Sequence, residues 1–445
     1  MKNIFGTDGV RGKANEGYIT PENAMRLAVS AVNYYLLNEH QFVNSKFTVV
    51  IGKDTRLSGY MLEPALTSGF IAAGADVVLL SPIPTPAVAF MTKSLRADLG
   101  VVISASHNLY QDNGIKFFNS EGFKISLNDE LGISEIFHTE QRLTSTEHMG
   151  KAKRLDDSAG RYVEFVKSSF PKNLELSGVK VVVDTANGSA YKIASQIFWE
   201  LGAEVLKIGD EPNGLNINDK CGATHLSLLQ KTVIENSADI GIALDGDADR
   251  LIIVDEMGEI LDGDYIIAAI ATYWKNSNKL HVNSVVATTM SNSGMEKYLN
   301  SIDVNLIRSD VGDKYVVEKM IEVGANLGGE KSGHIIPIDY SSTGDGCVSA
   351  LQILAYIQKE KIKSSDIRKL FTPYPQLFKN LNKLLDLRSE SVLSCISKIE
   401  KEILKGPGRI ILRKSGTEPI TRIMIESENE DEITNAMICF ESAIK

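Results

Sequence analysis

Apolar and polar positions along the chain switch repeatedly between a helical and a strand period. Thr20-Pro21-Glu22 reads as an N-cap followed by proline at the first helical position, opening an apolar-periodic helix to about Leu37. Residues 47–54 are a β-branched run ending in glycine and charge, which predicts a strand. A helix from Ser58 to about Ala73, a strand at 75–80, a helix opening at Thr85-Pro86 and a strand at 98–105 follow. This rhythm predicts an α/β unit with a mostly parallel sheet. It restarts after Gly178, with strands at 179–184, 203–209 and 238–245 and helices from Ser189 to Leu201 and from Leu226 to Asn236. It restarts again near Gly263: a helix through Trp274, a strand at 284–291, a helix from Gly294, a strand at 305–310, a helix from Asp313 to Val323 and a longer one from Thr343 to Glu360. The three units do not match position by position, so they are read as a repeated architecture without a demonstrated sequence repeat.

The tail differs. A lysine-rich stretch from Lys359 to Lys369 reads as a linker. Val392, Cys395, Ile396, Ile399 and Ile403 mark an amphipathic helix that stops at Gly406-Pro407. Two strands, 409–416 and 421–428, flank a loop before a final helix. The fold class predicted is therefore α/β: three consecutive α/β domains at 1–155, 156–253 and 254–370, and a smaller α+β domain at 371–445.

Composition narrows the function classes. The chain has 445 residues, with 47 Lys and Arg against 57 Asp and Glu, a formal net charge of −10. That balance argues against a general nucleic-acid binder and requires a local basic cleft for any anionic substrate. The four cysteines (Cys221, Cys347, Cys395, Cys439) are far apart and form no C-x-x-C pair, which suits a reducing cytoplasm. The N-terminus reaches glycine and aspartate at once, without an apolar signal core. The longest uncharged apolar stretch, Val77 to Thr92, carries three prolines and is too short and broken to span a bilayer. The expectation is a cytoplasmic protein without a membrane partner.

Ligands of α/β sheets sit beyond the carboxyl ends of the strands, and the unusual residue clusters fall there. Residues 103–108 place Ser106 directly after an apolar strand, where it can act as nucleophile or carry phosphate; a plain Ser/Asn turn is the alternative. His107 is as suited to orienting or packing as to base chemistry. No G-x-S-x-G accompanies the serine, so a serine hydrolase is not supported. Asp245, Asp247 and Asp249 alternate in an extended loop and can converge on one hard cation. With Glu256 they also match positions 1, 3, 5 and 12 of an EF-hand, but position 6 is Arg250 where the turn needs glycine, and the flanks read as strands. A Mg²⁺-type site with few protein ligands fits better. Residues 328–334 with Gly324 narrowly miss a P-loop, because Glu330 stands where the phosphate-binding lysine belongs. A carboxylate there suits a sugar hydroxyl or amine. His334 is a possible acid/base group or a structural histidine. Residues 413–419 combine Arg413, hydroxyls and glycine N–H groups into an anion nest, with Arg422 just beyond. Further charge comes from residues 6–12, including Arg11, from 52–56, and from Lys116. No GxGxxG fingerprint supports a nicotinamide dehydrogenase.

Together these motifs resemble the α-D-phosphohexomutase superfamily. The matching order is FGTDGVRG (5–12), GKDTR (52–56), SASHN (104–108) with DNGIKFF (112–118), DTANG (184–188), GLNINDKCGATH (214–225), DGDADR (245–250), TTMSN (288–292), GGEKSGH (328–334), TGDG (343–346) and RKSGTEP (413–419). FGTDGVRG and GLNIN…CGATH point to the glucosamine branch. Two departures stand out: Leu109 replaces the proline of SASHNP, and Lys331 stands where Gln or Asn is frequent.

The resemblance implies three α/β domains and a TATA-binding-protein-like fourth around a deep cleft. It implies a phosphorylated Ser106, one Mg²⁺ held by Asp245, Asp247, Asp249 and the phosphoserine, and sugar recognition by Glu330 and Ser332, with Arg250 and His107 beside them. Arg413, Ser415, Gly416, Thr417 and Arg422 would capture phosphate. Arg11, Lys116 and His334 would assist Ser106 in catalysis; Lys116 with a lowered pKa is the first candidate base and His334 the second. The implied reaction converts glucosamine 6-phosphate to glucosamine 1-phosphate, toward UDP-N-acetylglucosamine for the cell wall, with glucosamine 1,6-bisphosphate or a similar bisphosphate as activator. Partners would be small sugar phosphates, and the protein a monomer or homodimer. A phosphoglucomutase or phosphomannomutase of the same superfamily, a non-catalytic sugar-phosphate-binding protein and a divalent-cation sensor are the rival readings.

Overall fold

The computed structural model describes residues 3–6, 8–37, 46–414 and 420–443. Its first sheet runs Val10–Lys13, Asp112–Asn119, Leu99–Ile103, Thr48–Lys53, Asp76–Pro82, Ala152–Arg154 in spatial order. Thr48–Lys53 pairs in parallel with both its neighbours, whereas Asp112–Asn119 is antiparallel to Leu99–Ile103 and to Val10–Lys13. The second sheet runs Ile260–Leu261, Leu251–Asp255, Ile240–Leu244, Lys180–Asp184, Glu204–Ile208, and the third Asn305–Ser309, Ser284–Thr288, Leu327–Gly329, Ile335–Pro337. Each is parallel at its centre with an antiparallel edge. The last sheet has three antiparallel strands, Gln376–Leu381, Thr421–Glu426 and Arg409–Lys414, backed by the helices Glu390–Lys398 and Glu430–Ala443.

The central strands are apolar on both faces, as a sheet covered by helices on both sides requires. Leu99–Ile103 and Ile240–Leu244 are buried at every position. Helix Gly346–Glu360 is capped by Asp345, whose carboxylate accepts the Val348 N–H (2.9 Å), so it starts three residues inside the expected start at Thr343. One continuous apolar core joins the first three units, running through Val88, Tyr162, Val181, Leu251, Ile267 and Leu351, while the last unit has a separate core around Ile399, Ile425 and Phe440.

Several elements were silent in the periodicity. Leu127–Phe137 and Ser158–Ser168 are helices, and Asp112–Asn119 and Gln376–Leu381 are strands. The lysine-rich stretch is not a free linker. Ser364 and Ile367 are buried, the Ser364 hydroxyl donates to Glu256 Oε2 (2.7 Å) and Arg368 Nε lies 2.7 Å from Asp255 Oδ2. The cysteines are free thiols, and no helix among the described residues is long and apolar enough to cross a membrane.

Candidate active site

Three loops at strand carboxyl ends meet at one point. Strand Leu99–Ile103 delivers Ser106, strand Ile240–Leu244 delivers Asp245–Asp249, and strand Leu327–Gly329 delivers Glu330–His334. Ser106 adopts a left-handed backbone, φ +49°, and is buried. Its N–H donates to Ser104 Oγ at 2.9 Å. Its hydroxyl oxygen accepts from Arg11 Nη2 (2.8 Å) and Lys116 Nζ (2.8 Å) and lies 3.4 Å from Asp247 Oδ2. Strand pairing explains those donors: Lys116 sits opposite Val102 on the strand beside the one that leads to the serine, and Arg11 sits opposite Gly114 on the next strand out.

The aspartate loop turns at Ala248, φ +57°, and docks on the first unit through Thr85, whose hydroxyl donates to Asp247 Oδ2 at 2.7 Å. Gly246 permits the approach: a Cβ there would lie 2.7 Å from the Ser106 carbonyl oxygen. Asp245, Asp247 and Asp249 are all buried and offer carboxylate oxygens within 4.8 Å of one another. Each keeps one buried oxygen with no hydrogen-bond donor: Asp245 Oδ2, Asp247 Oδ1 and Asp249 Oδ1. Three clustered buried acids, each with an oxygen that accepts no hydrogen bond, fit a hard divalent cation. Burial and the two neighbouring carboxylates push Asp245 well above the usual carboxylate range. Glu256 is absent from this cluster; it accepts from the hydroxyls of Ser364 (2.7 Å) and Ser365 (2.5 Å), which removes the EF-hand reading.

Lys116 departs from expectation. Burial favours its neutral amine, but Asp247 Oδ2 at 2.9 Å, Asp8 Oδ2 at 3.1 Å and Asp249 Oδ2 at 3.5 Å outweigh burial. Its pKa is raised, not lowered, and the side chain donates to Ser106 as an ammonium. Asp8, within the charged segment 6–12 but without a role assigned from sequence, pairs with Arg11, Lys116 and Lys124, and these cations hold it well below the carboxylate range despite burial. His334 is flanked by Asp249 Oδ1 (3.6 Å) and Asp313 Oδ2 (3.4 Å). Burial opposes its protonation, but these anions with Glu330 raise it to about 9. The Gly344 N–H points at Nε2 (3.1 Å), a contact that only a neutral ring can accept.

A cavity of about 310 Å³ opens over Ser106, lined by Asp8, Arg11, His107, Asp249, Arg250, Asp313, Glu330, His334, Arg413 and Arg422 among others. All four units contribute to it. Glu330 accepts from the Gly312 N–H (3.0 Å) and the Ser332 hydroxyl (3.2 Å); Ser332 itself is exposed. The Glu330 loop sits tightly on the second unit, where a Cβ on Gly333 would lie 2.3 Å from the Leu251 carbonyl oxygen. Burial first, then Arg250 and Arg11, push His107 down to about 4, so it is neutral. Arg413 and Arg422 face each other across the antiparallel ladder. Burial, then Arg422, lowers the pKa of Arg413. Like charges directly opposed in a ladder are unfavourable and suit an anion between them. Ser415, Gly416 and Thr417 lie outside the described residues. Lys331 turns to the last sheet, donating to Gln376 Oε1 (2.6 Å).

The chain is similar to known proteins throughout. Models of phosphoglucomutase/phosphomannomutase α/β/α domains I, II and III match residues 2–144, 160–258 and 262–374, and the C-terminal domain model matches 369–437. A phosphoglucosamine mutase of Parvibaculum lavamentivorans is 50% identical over 442 residues, covering 98% of this chain and 97% of that protein. One of Zymomonas mobilis is 51% identical over 432 residues, 97% of this chain and 96% of its own. A phosphoglucomutase/phosphomannomutase family structure from Burkholderia thailandensis superposes with a TM-score of 0.83 at 23% identity, covering 100% and 97% of the two chains. Aspergillus fumigatus N-acetylphosphoglucosamine mutase, solved with GlcNAc-6P and magnesium, superposes at 0.67 with 16% identity, covering 99% and 95%. With all four domain models matched in order and relatives about half identical along the whole length, the chain belongs to the phosphoglucomutase/phosphomannomutase family.

Proposed function

We propose that this chain interconverts glucosamine 6-phosphate and glucosamine 1-phosphate through a phosphorylated Ser106 and a 1,6-bisphosphate. The carrying observation is the Ser106 hydroxyl, 3.4 Å from Asp247 within a nest of three buried acids and two donating cations. The glucosamine preference rests on the relatives named phosphoglucosamine mutase.

Phosphoryl transfer asks mainly for positioning and charge neutralisation. Asp245, Asp247 and Asp249, with the phosphoserine, would hold the Mg²⁺ ion, which supplies charge withdrawal from the transferring phosphoryl group. Arg413 and Arg422 would grip the substrate's 6-phosphate at the far end of the cavity, while Glu330 accepts from a sugar hydroxyl or the 2-amine. The 1-hydroxyl oxygen then bonds to phosphorus, the bond from phosphorus to Ser106 Oγ breaks, and Lys116 and Arg11 donate to the departing oxygen. In a loose transition state the attacking hydroxyl keeps its proton until late, so a strong base is not required; the proton it then loses is balanced by the one that Ser106 Oγ gains as it leaves phosphorus. The 1,6-bisphosphate turns end for end, returns its 6-phosphate to Ser106 and leaves as the 1-phosphate. Arg413 and Arg422 must therefore accept either phosphate. A cavity walled by four units limits water, the competing acceptor.

The test is a coupled assay with Mg²⁺ and trace bisphosphate on the 6-phosphates of glucosamine, glucose and mannose, with intact mass in parallel. The glucosamine substrate should have the highest kcat/KM, and the protein should carry one added phosphate. A higher kcat/KM for glucose or mannose would move the assignment to the phosphoglucomutase or phosphomannomutase branch; no turnover and no added phosphate would leave only sugar-phosphate binding.

A further inference from the structure

The backbone at residue 106 is held by two side chains that do not line the cavity. A non-glycine residue at φ +49° costs free energy and persists only where its surroundings over-determine it. Here Arg56, 1% exposed, reaches under the turn: Nη2 donates to the carbonyl oxygens of Ser106 (3.0 Å) and Asn108 (2.8 Å), and Nη1 to that of Leu109 (2.6 Å). Asp54 fixes the guanidinium in turn, taking Nε on Oδ2 (2.9 Å) and the Arg56 N–H on Oδ1 (2.9 Å). From the second unit, Asn218 Nδ2 donates to the same two carbonyls, Ser106 (2.9 Å) and Asn108 (2.9 Å). Asn218 is itself buried, at φ +58°, with its N–H on the Ala186 carbonyl (2.9 Å).

We infer that Arg56 and Asn218 are positioning residues: together they clamp the 106–109 turn from two units and so aim the Ser106 oxygen at Asp247 and the cavity. This inference rests on the mutase reading above. Five donated hydrogen bonds converge on three carbonyls of one four-residue turn, a geometry that needs the planar fork of arginine and that a lysine cannot supply. Because Asn218 belongs to the second unit, as the aspartates do, the clamp sets the serine against the acids across the junction of the two units.

The test uses the full-length protein with Mg²⁺ and the variants Arg56→Lys and Asn218→Ala, each checked for folding by circular dichroism. A displacement of about 1 Å at a reacting atom costs on the order of 100-fold in rate. Both variants should lose kcat by about 10- to 100-fold while KM for the sugar phosphate stays within about twofold, since neither residue lines the cavity. Hydrogen–deuterium exchange over residues 104–110 gives a reading independent of turnover, and should be faster in both variants than in the parent. A kcat unchanged in folded Asn218→Ala, or unaltered exchange in that peptide, overturns the clamp. If Arg56→Lys does not fold, Asn218→Ala decides alone, because it removes two donors without stranding a charge. A parent protein inactive on all three hexose 6-phosphates defeats the proposed function instead, and the exchange measurement still judges the clamp.

Discussion

Ser106 is an ordinary hydroxyl whose chemistry comes from its neighbours. Two cations donate to it, and the nearest carboxylate belongs to the cation site. Ser106→Ala should therefore lower turnover by at least about 1000-fold while the circular dichroism spectrum and thermal midpoint stay close to the parent's. Asp247→Asn should weaken Mg²⁺ binding in calorimetry by at least about tenfold, with activity falling in step. Asp345, which is not one of the three clustered aspartates, offers a pH test. Burial raises its pKa to about 6, although Val348 N–H and Tyr162 OH donate to it. The unfolded value is about 3.9. The folded state thus holds the proton more tightly: the contribution to stability is complete below about pH 4, declines as the pH rises, and is lost above about 6. A shift of about two units corresponds to roughly 3 kcal/mol. Asparagine cannot ionise, accepts from Val348 and can donate to Tyr162. The thermal midpoint of Asp345→Asn relative to the parent should therefore climb between pH 4.5 and 7.5; a constant difference would refute the assignment.

At the scale of elements, the last hairpin does two things at once. One end of the pair Arg409–Lys414 and Thr421–Glu426 carries Arg413 and Arg422 into the cavity. The other end is anchored: Arg409 Nε pairs with buried Glu426 (2.8 Å), and Arg409 Nη1 donates to the Thr289 carbonyl (2.7 Å) of the third unit. Arg413→Ala removes a contact made alike in ground and transition states, so KM for the 6-phosphate should rise about 10- to 100-fold with little change in kcat. An unchanged KM in steady-state assays would remove this hairpin from phosphate recognition. The hairpin strands were legible as two runs rich in isoleucine around a Ser-Gly-Thr-Glu-Pro loop. The strand Asp112–Asn119 was not, because Asp112-Asn113-Gly114 opens it with turn residues and Ile115 to Phe118 run nearly continuously apolar around Lys116. Its pairing is what brings Lys116 to the serine.

For the whole molecule, the division of cores decides what can move. The first three units share one apolar core, and the fourth has its own. Phe371 at its start stacks on Tyr265 within the shared core, and beyond it the ties to the third unit include polar ones such as the reciprocal bonds of Asn292 with the Tyr374 backbone (2.9 Å each way). Closure should therefore rotate the last unit as a body. The ties of Ser364 and Arg368 to Glu256 and Asp255 hold the stretch before it, so the pivot lies C-terminal to them. Small-angle scattering should show a smaller radius of gyration with bound bisphosphate, and no compaction would rule out a closing fourth unit.

The sequence by itself determined the order of α/β units, the loops that carry chemistry and the three aspartates, because strand-end motifs and alternating acids are local patterns. Tertiary structure alone decided the charge on Lys116, since its pKa sums fields from Asp8, Asp247 and Asp249, which lie on different units. It also decided the places of Asp8, Arg56 and Asn218, whose roles consist of contacts across about fifty to over a hundred residues of chain. Local pattern names the residues that can react; only the packing of distant segments fixes which charges they face.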